Sequence, residues 1–187
     1  MKRVIASLLV LLGIVSFINR EVPLTEENII QIEPLVVVVD RYHPSVVNFM
    51  DVIARIESGG RYEVTNRFGY MGRYQFSPRT VKYLGYDISR DEFLSDYALQ
   101  DSIMYHYMYV NNKSLRSLIY EYDGVVIDGI RINRATILAG AHFAGASGMK
   151  RFLKSSGRTT TTDANGTTIK KYISNFSDME LPSLITS

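Results

Sequence analysis

The stretch Ile53-Ala-Arg-Ile-Glu-Ser-Gly-Gly-Arg61, followed by Phe68-Gly-Tyr-Met-Gly-Arg-Tyr-Gln-Phe76, decides how the rest of this 187-residue chain is read. Upstream of it, Val46, Met50 and Ile53 recur at helical spacing, with Phe49 and Ile56 widening the apolar stripe and Ser45 placed to cap the helix start. At about 100° per residue, positions 46, 50, 53 and 57 fall within roughly a 60° sector, so Glu57 shares the face that turns toward the core. Gly59-Gly60 ends the helix. A carboxyl group at the buried end of a helix loses hydration and meets the negative pole of the helix dipole, and both effects favour its protonated form, as a general acid requires. The ordinary alternative is a salt bridge from Glu57 to Arg55, Arg61 or Arg73 at the helix end.

Composition narrows the classes. Hydrophobic residues make up 46% of the chain and charged residues 21%, values of a globular protein with a core. A net charge of +2 gives no argument for nucleic acid as a partner. The absence of Cys removes disulfides, thiolate zinc sites and thiol nucleophiles, and three scattered His residues argue against a catalytic metal. No cofactor is expected.

Glu57-Ser58-Gly-Gly together with Gly69-Tyr-Met-Gly-Arg-Tyr-Gln75 resembles the active-site signature of the lysozyme-like lytic transglycosylases and goose-type lysozymes. The resemblance extends to Leu138-Ala-Gly-Ala-His-Phe-Ala-Gly145, similar to a later Ala-Tyr-Asn-Ala-Gly element of that superfamily, and to Tyr172, in the place of a late tyrosine of the substrate cleft. It covers roughly positions 45 to 176, with one departure: His142-Phe143 stands where the common pattern reads Tyr-Asn. It implies a mainly α, α+β lysozyme-like fold, a helical body with a small loop or β-hairpin lobe flanking a substrate cleft. It also implies Glu57 as the catalytic acid in cleavage of the β-1,4 bond between N-acetylmuramic acid and N-acetylglucosamine in peptidoglycan. In such a site Ser58, Gln75 and Tyr172 position the N-acetyl and hydroxyl groups, Tyr70 and Tyr74 offer flat surfaces to sugar rings, and His142 faces the cleft. For all but Gln75 there is a plainer reading: turn capping for Ser58, core packing for the tyrosines, a hydrogen-bonded structural histidine for His142.

Glycosidase chemistry commonly uses two carboxylates. No second one stands in a matching motif, because Glu63, Asp87 and Asp96 sit in polar contexts suited to solvation or capping. A single acid suffices when the substrate supplies its own nucleophile, which in the family resembled is the C6 hydroxyl of N-acetylmuramic acid, giving a 1,6-anhydro product. A hydrolytic lysozyme is the neighbouring expectation. A non-catalytic glycan-binding or structural module of an envelope or phage assembly is the expectation of another class.

Outside this core, Met1-Lys2-Arg3 and the apolar run Val4 to Ile18 read as a signal peptide or N-terminal membrane anchor over residues 1–20. Bulky Phe17 and Ile18 occupy the region where small residues would mark a cleavage site. An extracytoplasmic, cell-envelope location follows from this segment, with the membrane as a partner through it. Residues 21–44 read as a linker that includes the β-branched run Leu35 to Val39, residues 45–180 as the catalytic domain and residues 181–187 as an irregular tail. Within the domain, Ser77-Pro78 opens a helix that Gly85 ends, and Ser89 with Glu92 forms a capping box. A longer helix runs from Asp96 to about Val110, its Tyr97, Met104, Tyr105, Met108 and Tyr109 expected in the core. Leu115, Leu118 and Ile119 mark a short helix, and Asp128-Gly129 a hairpin turn between β-branched arms. Asn133 caps a helix through Ala144 whose small residues suit close packing against the Glu57 helix. Residues 155–168 form a polar loop, and a last helix carries Tyr172.

Overall fold

The computed structural model describes residues 43–184. The expected N-terminal anchor, nearly all of the linker and the last three residues of the tail lie outside them. Among the described residues, no helix is long and apolar enough to cross a membrane.

The described chain is mainly helical: α1 (Pro44–Ser58), α2 (Pro78–Tyr83), α3 (Arg90–Ser95), α4 (Tyr97–Ser114), α5 (Arg116–Tyr122), the hairpin β1 (Val126–Ile127) and β2 (Ile130–Arg131), α6 (Arg134–Lys154), α7 (Ile169–Ile173), and a closing 3-10 turn Ser174–Phe176. Local signals account for most of these boundaries. Ser77 caps α2 through the Thr80 N–H with Pro78 in the first turn, and Ser89 with Glu92 forms the expected reciprocal capping box on α3. Asp96 caps α4 by accepting from the Leu99 N–H. The hairpin pairs Val126 with Arg131 and Ile127 with Ile130, and the tight turn demands positive φ at both Asp128 (51°) and Gly129 (79°).

Three boundaries differ from the sequence expectation. The cap of α1 is His43, not Ser45, because Pro44 takes the first helical position and the imidazole Nδ1 accepts from the Ser45 N–H. Helix α4 continues four residues past Val110, through Asn111 to Ser114, since nothing in that stretch breaks it. Helix α6 does not end at Ala144: Gly145 adopts φ 71°, ψ 161°, which only a residue without a Cβ takes readily, and the chain kinks there and resumes helix to Lys154.

Helix α6 organises the interior, since the two apolar clusters lie on either side of it. Ala135, Leu138 and Ala139 share a core with Val46, Phe49, Met50 and Ile53 of α1, the Met71–Phe76 loop and Met104 and Met108 of α4. Ile137, Ala141, Met149 and Phe152 share the other with Leu118 and Ile119 of α5, the hairpin isoleucines and Ile169 and Ile173 of α7. Its closest partners are α7 and α4 rather than α1. The small residues serve that packing: a Cβ on Gly140 would come within 2.3 Å of Met149 Sδ. Ile56 departs from the expected stripe and is 44% exposed, because it lies at the edge of the apolar sector on the last turn of α1. Tyr97 is likewise exposed and stacks on Tyr62 at a 4.5 Å centroid distance instead of entering the core.

The segment after α7 belongs to the domain, although it is irregular. Leu181 and Leu184 are buried, and the Asn133 side-chain amide donates to the backbone carbonyls of both Ser177 and Met179 at 3.0 Å. The 155–168 loop is also built rather than open: Asp163 Oδ1 accepts from the Asn165 and Thr167 N–H groups, and Thr162 pairs with Thr168.

Candidate functional site around Glu57

Helix α1 ends at Gly59, whose φ of 67° is the left-handed cap that glycine tolerates best, and the N–H of Gly60 returns to the Ala54 carbonyl. The end of α1 presents Glu57 with its side chain 23% exposed, so the carboxyl group sits at the boundary of core and solvent. Its Oε1 accepts a hydrogen bond from Tyr172 O–H at 2.7 Å, and His142 Nε2 lies 3.7 Å from the same oxygen. Elements 85 and 115 residues downstream thus converge on one carboxylate oxygen: α6 through His142 and α7 through Tyr172.

The alternative salt bridge from Glu57 to Arg55, Arg61 or Arg73 is absent. Arg73 Nη2 pairs with Asp51 at 2.6 Å and Nη1 with Asp101 at 3.2 Å, while Arg61 Nε donates to the Ser58 carbonyl. Among the described residues no guanidinium or ammonium group reaches Glu57, and no cluster of His, Asp and Glu is arranged to hold a metal ion.

Burial fixes the proton states of the neighbours. Tyr172 is pushed well above the usual phenol value, first by burial and then by the adjacent Glu57 charge, so it remains a donor through the neutral range. His142, its side chain 7% exposed and met edge-on by the rings of Phe76 and Tyr107, is lowered by burial against the opposing pull of Glu57 and the nearby Tyr74 backbone. Burial lowers His106 too. A histidine with a lowered folded value binds its proton less readily than in the unfolded chain, where it titrates near 6.5. Unfolding therefore takes up protons below that pH, and stability declines as pH falls through it. The melting temperature is expected to drop between pH 7 and pH 5 in thermal scans; an unchanged value would contradict the burial of both imidazoles.

The 61–76 segment faces the end of α1. It is loop closed by isolated bridges, Thr65 with Met71 and Met71 with Phe76, with no extended strand. Gly72 is required there twice over: its φ is 72°, and a Cβ would fall 2.1 Å from Gln100 Oε1. Gln75, with a left-handed φ of 52°, is one of three described residues other than glycine with positive φ; its side-chain amide donates back to the Gly72 carbonyl at 2.9 Å. Tyr70 is 42% exposed and available to a ligand.

Several expected site residues are placed otherwise. Tyr74 is a correction: it is fully buried, its O–H donating to Asp101 Oδ1 at 2.6 Å, and offers no face to a sugar. Ser58 is buried and its O–H donates to the Arg73 carbonyl at 2.8 Å, so it fastens the loop to α1 instead of pointing outward. His142 and Tyr172 contact Glu57 from within, and neither lines an open surface. Glu63 accepts from Tyr97 O–H and Asp96 caps α4, while Asp87 is an exposed surface carboxylate 3.9 Å from Lys82, so none of the three carboxylates considered as a second catalytic group contacts Glu57.

One cluster escaped the sequence reading. Asp101, buried on α4, accepts from Tyr62 and Tyr74 and pairs with Arg73, whose guanidinium also lies 4.8 Å over the Tyr62 ring; burial and the Asp101 charge raise Tyr62 to about 12. The neighbouring Gln100 accepts from the Arg73 N–H and donates to the Phe93 and Tyr62 carbonyls. The only trace of this in the sequence is the polar pair Gln100-Asp101 preceding the apolar Ile103-Met104.

Two concavities elsewhere on the described surface, of about 460 Å³ near Val81 and Tyr86 and about 650 Å³ near Arg116 and Arg134, do not include Glu57. No family model, no curated protein and no solved structure matches this chain.

Proposed function

We propose that the protein cleaves peptidoglycan glycan strands with Glu57 as its single acid. The observation that carries this reading is the state of Glu57: a carboxyl group at a helix end, paired with no lysine or arginine among the described residues, held on one oxygen by Tyr172 and still open to solvent. A structural carboxylate in the same place would pair with Arg61 or Arg73, which bond elsewhere.

In this mechanism protonated Glu57 gives its proton to the glycosidic oxygen between N-acetylmuramic acid and N-acetylglucosamine. The bond to C1 breaks with oxocarbenium character at that carbon. The resulting Glu57 carboxylate then takes the proton of the C6 hydroxyl, whose oxygen bonds to C1 and closes the 1,6-anhydro ring. Atoms balance without water. Among the described residues no second carboxylate contacts Glu57, which favours a substrate-supplied nucleophile, and so the transglycosylase over a lysozyme. Tyr70 and Gln75 are the groups of the facing loop best disposed to meet a sugar. A lysozyme-like fold and an envelope location, with the N-terminal apolar segment at the membrane, complete the proposal.

The test is mass spectrometry of fragments released from purified peptidoglycan by the full chain. Fragments ending in 1,6-anhydromuramic acid are expected. Reducing ends would make the protein a hydrolase, and glycan binding without any release would make it a non-catalytic module.

A further inference from the structure

Glu57 Oε1 and Oε2 are not equivalent. Tyr172 O–H and His142 Nε2 both address Oε1, whereas among the described residues no hydrogen bond reaches Oε2 and it is not among the buried polar atoms without a partner, which leaves it the solvent-facing oxygen. The imidazole is equally asymmetric. Its Nδ1 is buried and has no hydrogen-bond partner of acceptable geometry, although the Tyr74 backbone passes nearby. Nδ1 is left short of a full hydrogen bond in either neutral tautomer, as a donor or as an acceptor, so the other nitrogen decides: a proton on Nε2 faces the Glu57 carboxylate, whereas a bare Nε2 would set its lone pair against that charge. Among the described residues the elements packed around the ring bring no other charge: α1 contributes Glu57, α4 the ring of Tyr107, the 61–76 loop Phe76, and α7 reaches it through the Tyr172–Glu57 bond.

The geometry points to His142 as a positioning residue for the Glu57 acid: a neutral imidazole in the Nε2–H form that, with Tyr172, keeps Oε1 as the accepting oxygen and so assigns the transferable proton to Oε2. This rests on the proposed acid role of Glu57, and it goes beyond the sequence resemblance, in which position 142 is the departure. At 3.7 Å the Nε2 contact is longer than a hydrogen bond and acts through the orientation of the N–H dipole. Burial, which lowers the imidazole toward its neutral form, is in keeping with this state.

Nitrogen and carbon NMR of the histidine rings in the full-length protein reads the tautomer directly and does not depend on activity. Neutral His142 is expected as Nε2–H at pH 7, with ring shifts that follow Glu57 ionisation and lose that step in Glu57→Gln. An Nδ1–H form, bonded to the Tyr74 carbonyl, or shifts indifferent to Glu57→Gln, would overturn the assignment. On the activity side, His142→Phe keeps the ring packing and removes the N–H. It is expected to lower kcat by about tenfold with KM within about twofold, because the ring touches Glu57 and not the substrate. The alkaline limb of the pH profile should move upward as the carboxylate loses a stabilising dipole, and His142→Gln, which restores an N–H, should recover part of both. An unmoved pH profile in His142→Phe would count against the positioning role. Absence of anhydro or reducing-end products from the wild-type protein would instead sink the glycan-cleavage reading, with the NMR result still deciding the tautomer.

Discussion

Glu57→Gln is expected to reduce release of soluble glycan from insoluble peptidoglycan by at least about 10²–10⁴-fold, the range contributed by one positioned general acid. The substitution is nearly isosteric, and the Gln carbonyl can still accept the Tyr172 O–H that Oε1 accepts at 2.7 Å. The fold should therefore persist, with a melting temperature within a few degrees of the parent. What disappears is the dissociable proton. Initial release rates measured beside thermal scans separate the two effects. A variant within about tenfold of the parent rate would move the acid to another residue, and a variant that loses rate and fold together would show Glu57 to be structural.

The second large effect belongs to Asp101→Ala. Asp101 accepts from Tyr62 and Tyr74 and balances Arg73, all around one side chain 7% exposed. Its removal strands the Tyr74 O–H in the core and, among the described residues, leaves the guanidinium with the half-exposed Asp51 as counter-charge. Breaking a buried pair from one side costs about 3–5 kcal/mol. For a domain of this size that lowers the melting temperature by about 10 °C or more. Asp101→Asn, which keeps an acceptor for one tyrosine, should lose less. Because Arg73 lies within the Gly72–Gln75 loop facing Glu57, glycan release should fall further than instability alone explains, measured at a temperature where both proteins are folded. A melting point within about 3 °C of the parent would refute the cluster as a stabilising centre.

What the sequence made legible was set by the range of the interaction. Ser77 with Pro78, Ser89 with Glu92 and Asp128 with Gly129 are signals read from neighbours a few residues apart, and each produced its element. The direction of Glu57 followed from helical periodicity on a single helix. Tyr74 was misplaced because its environment depends on Asp101, 27 residues away, and an aromatic ring in a glycine-rich loop suits a sugar platform and a core equally. The roles of Ser58, His142 and Tyr172 changed for the same reason: residue type shows what chemistry a side chain carries, while only the packing of α6 and α7 shows which way it faces. The kink at Gly145 was missed because a glycine after a helical run reads as a terminus, and its continuation depends on Met149 and Phe152 finding the core beyond it.

The clasp between Asn133 and the carbonyls of Ser177 and Met179 has a consequence for Glu57. It joins points 44 and 46 residues apart, so that the whole of α6, the polar loop and α7 become a ring pinned at its neck. Ring closure removes most of the volume that a free end of that length would explore. Tyr172 sits five residues inside the clasp and so meets Glu57 as a tethered neighbour, at an effective concentration far above that of a free phenol. Each time the O–H···O contact breaks, its partner is still within reach, and the Glu57 carboxyl group is re-aimed without the chain having to search.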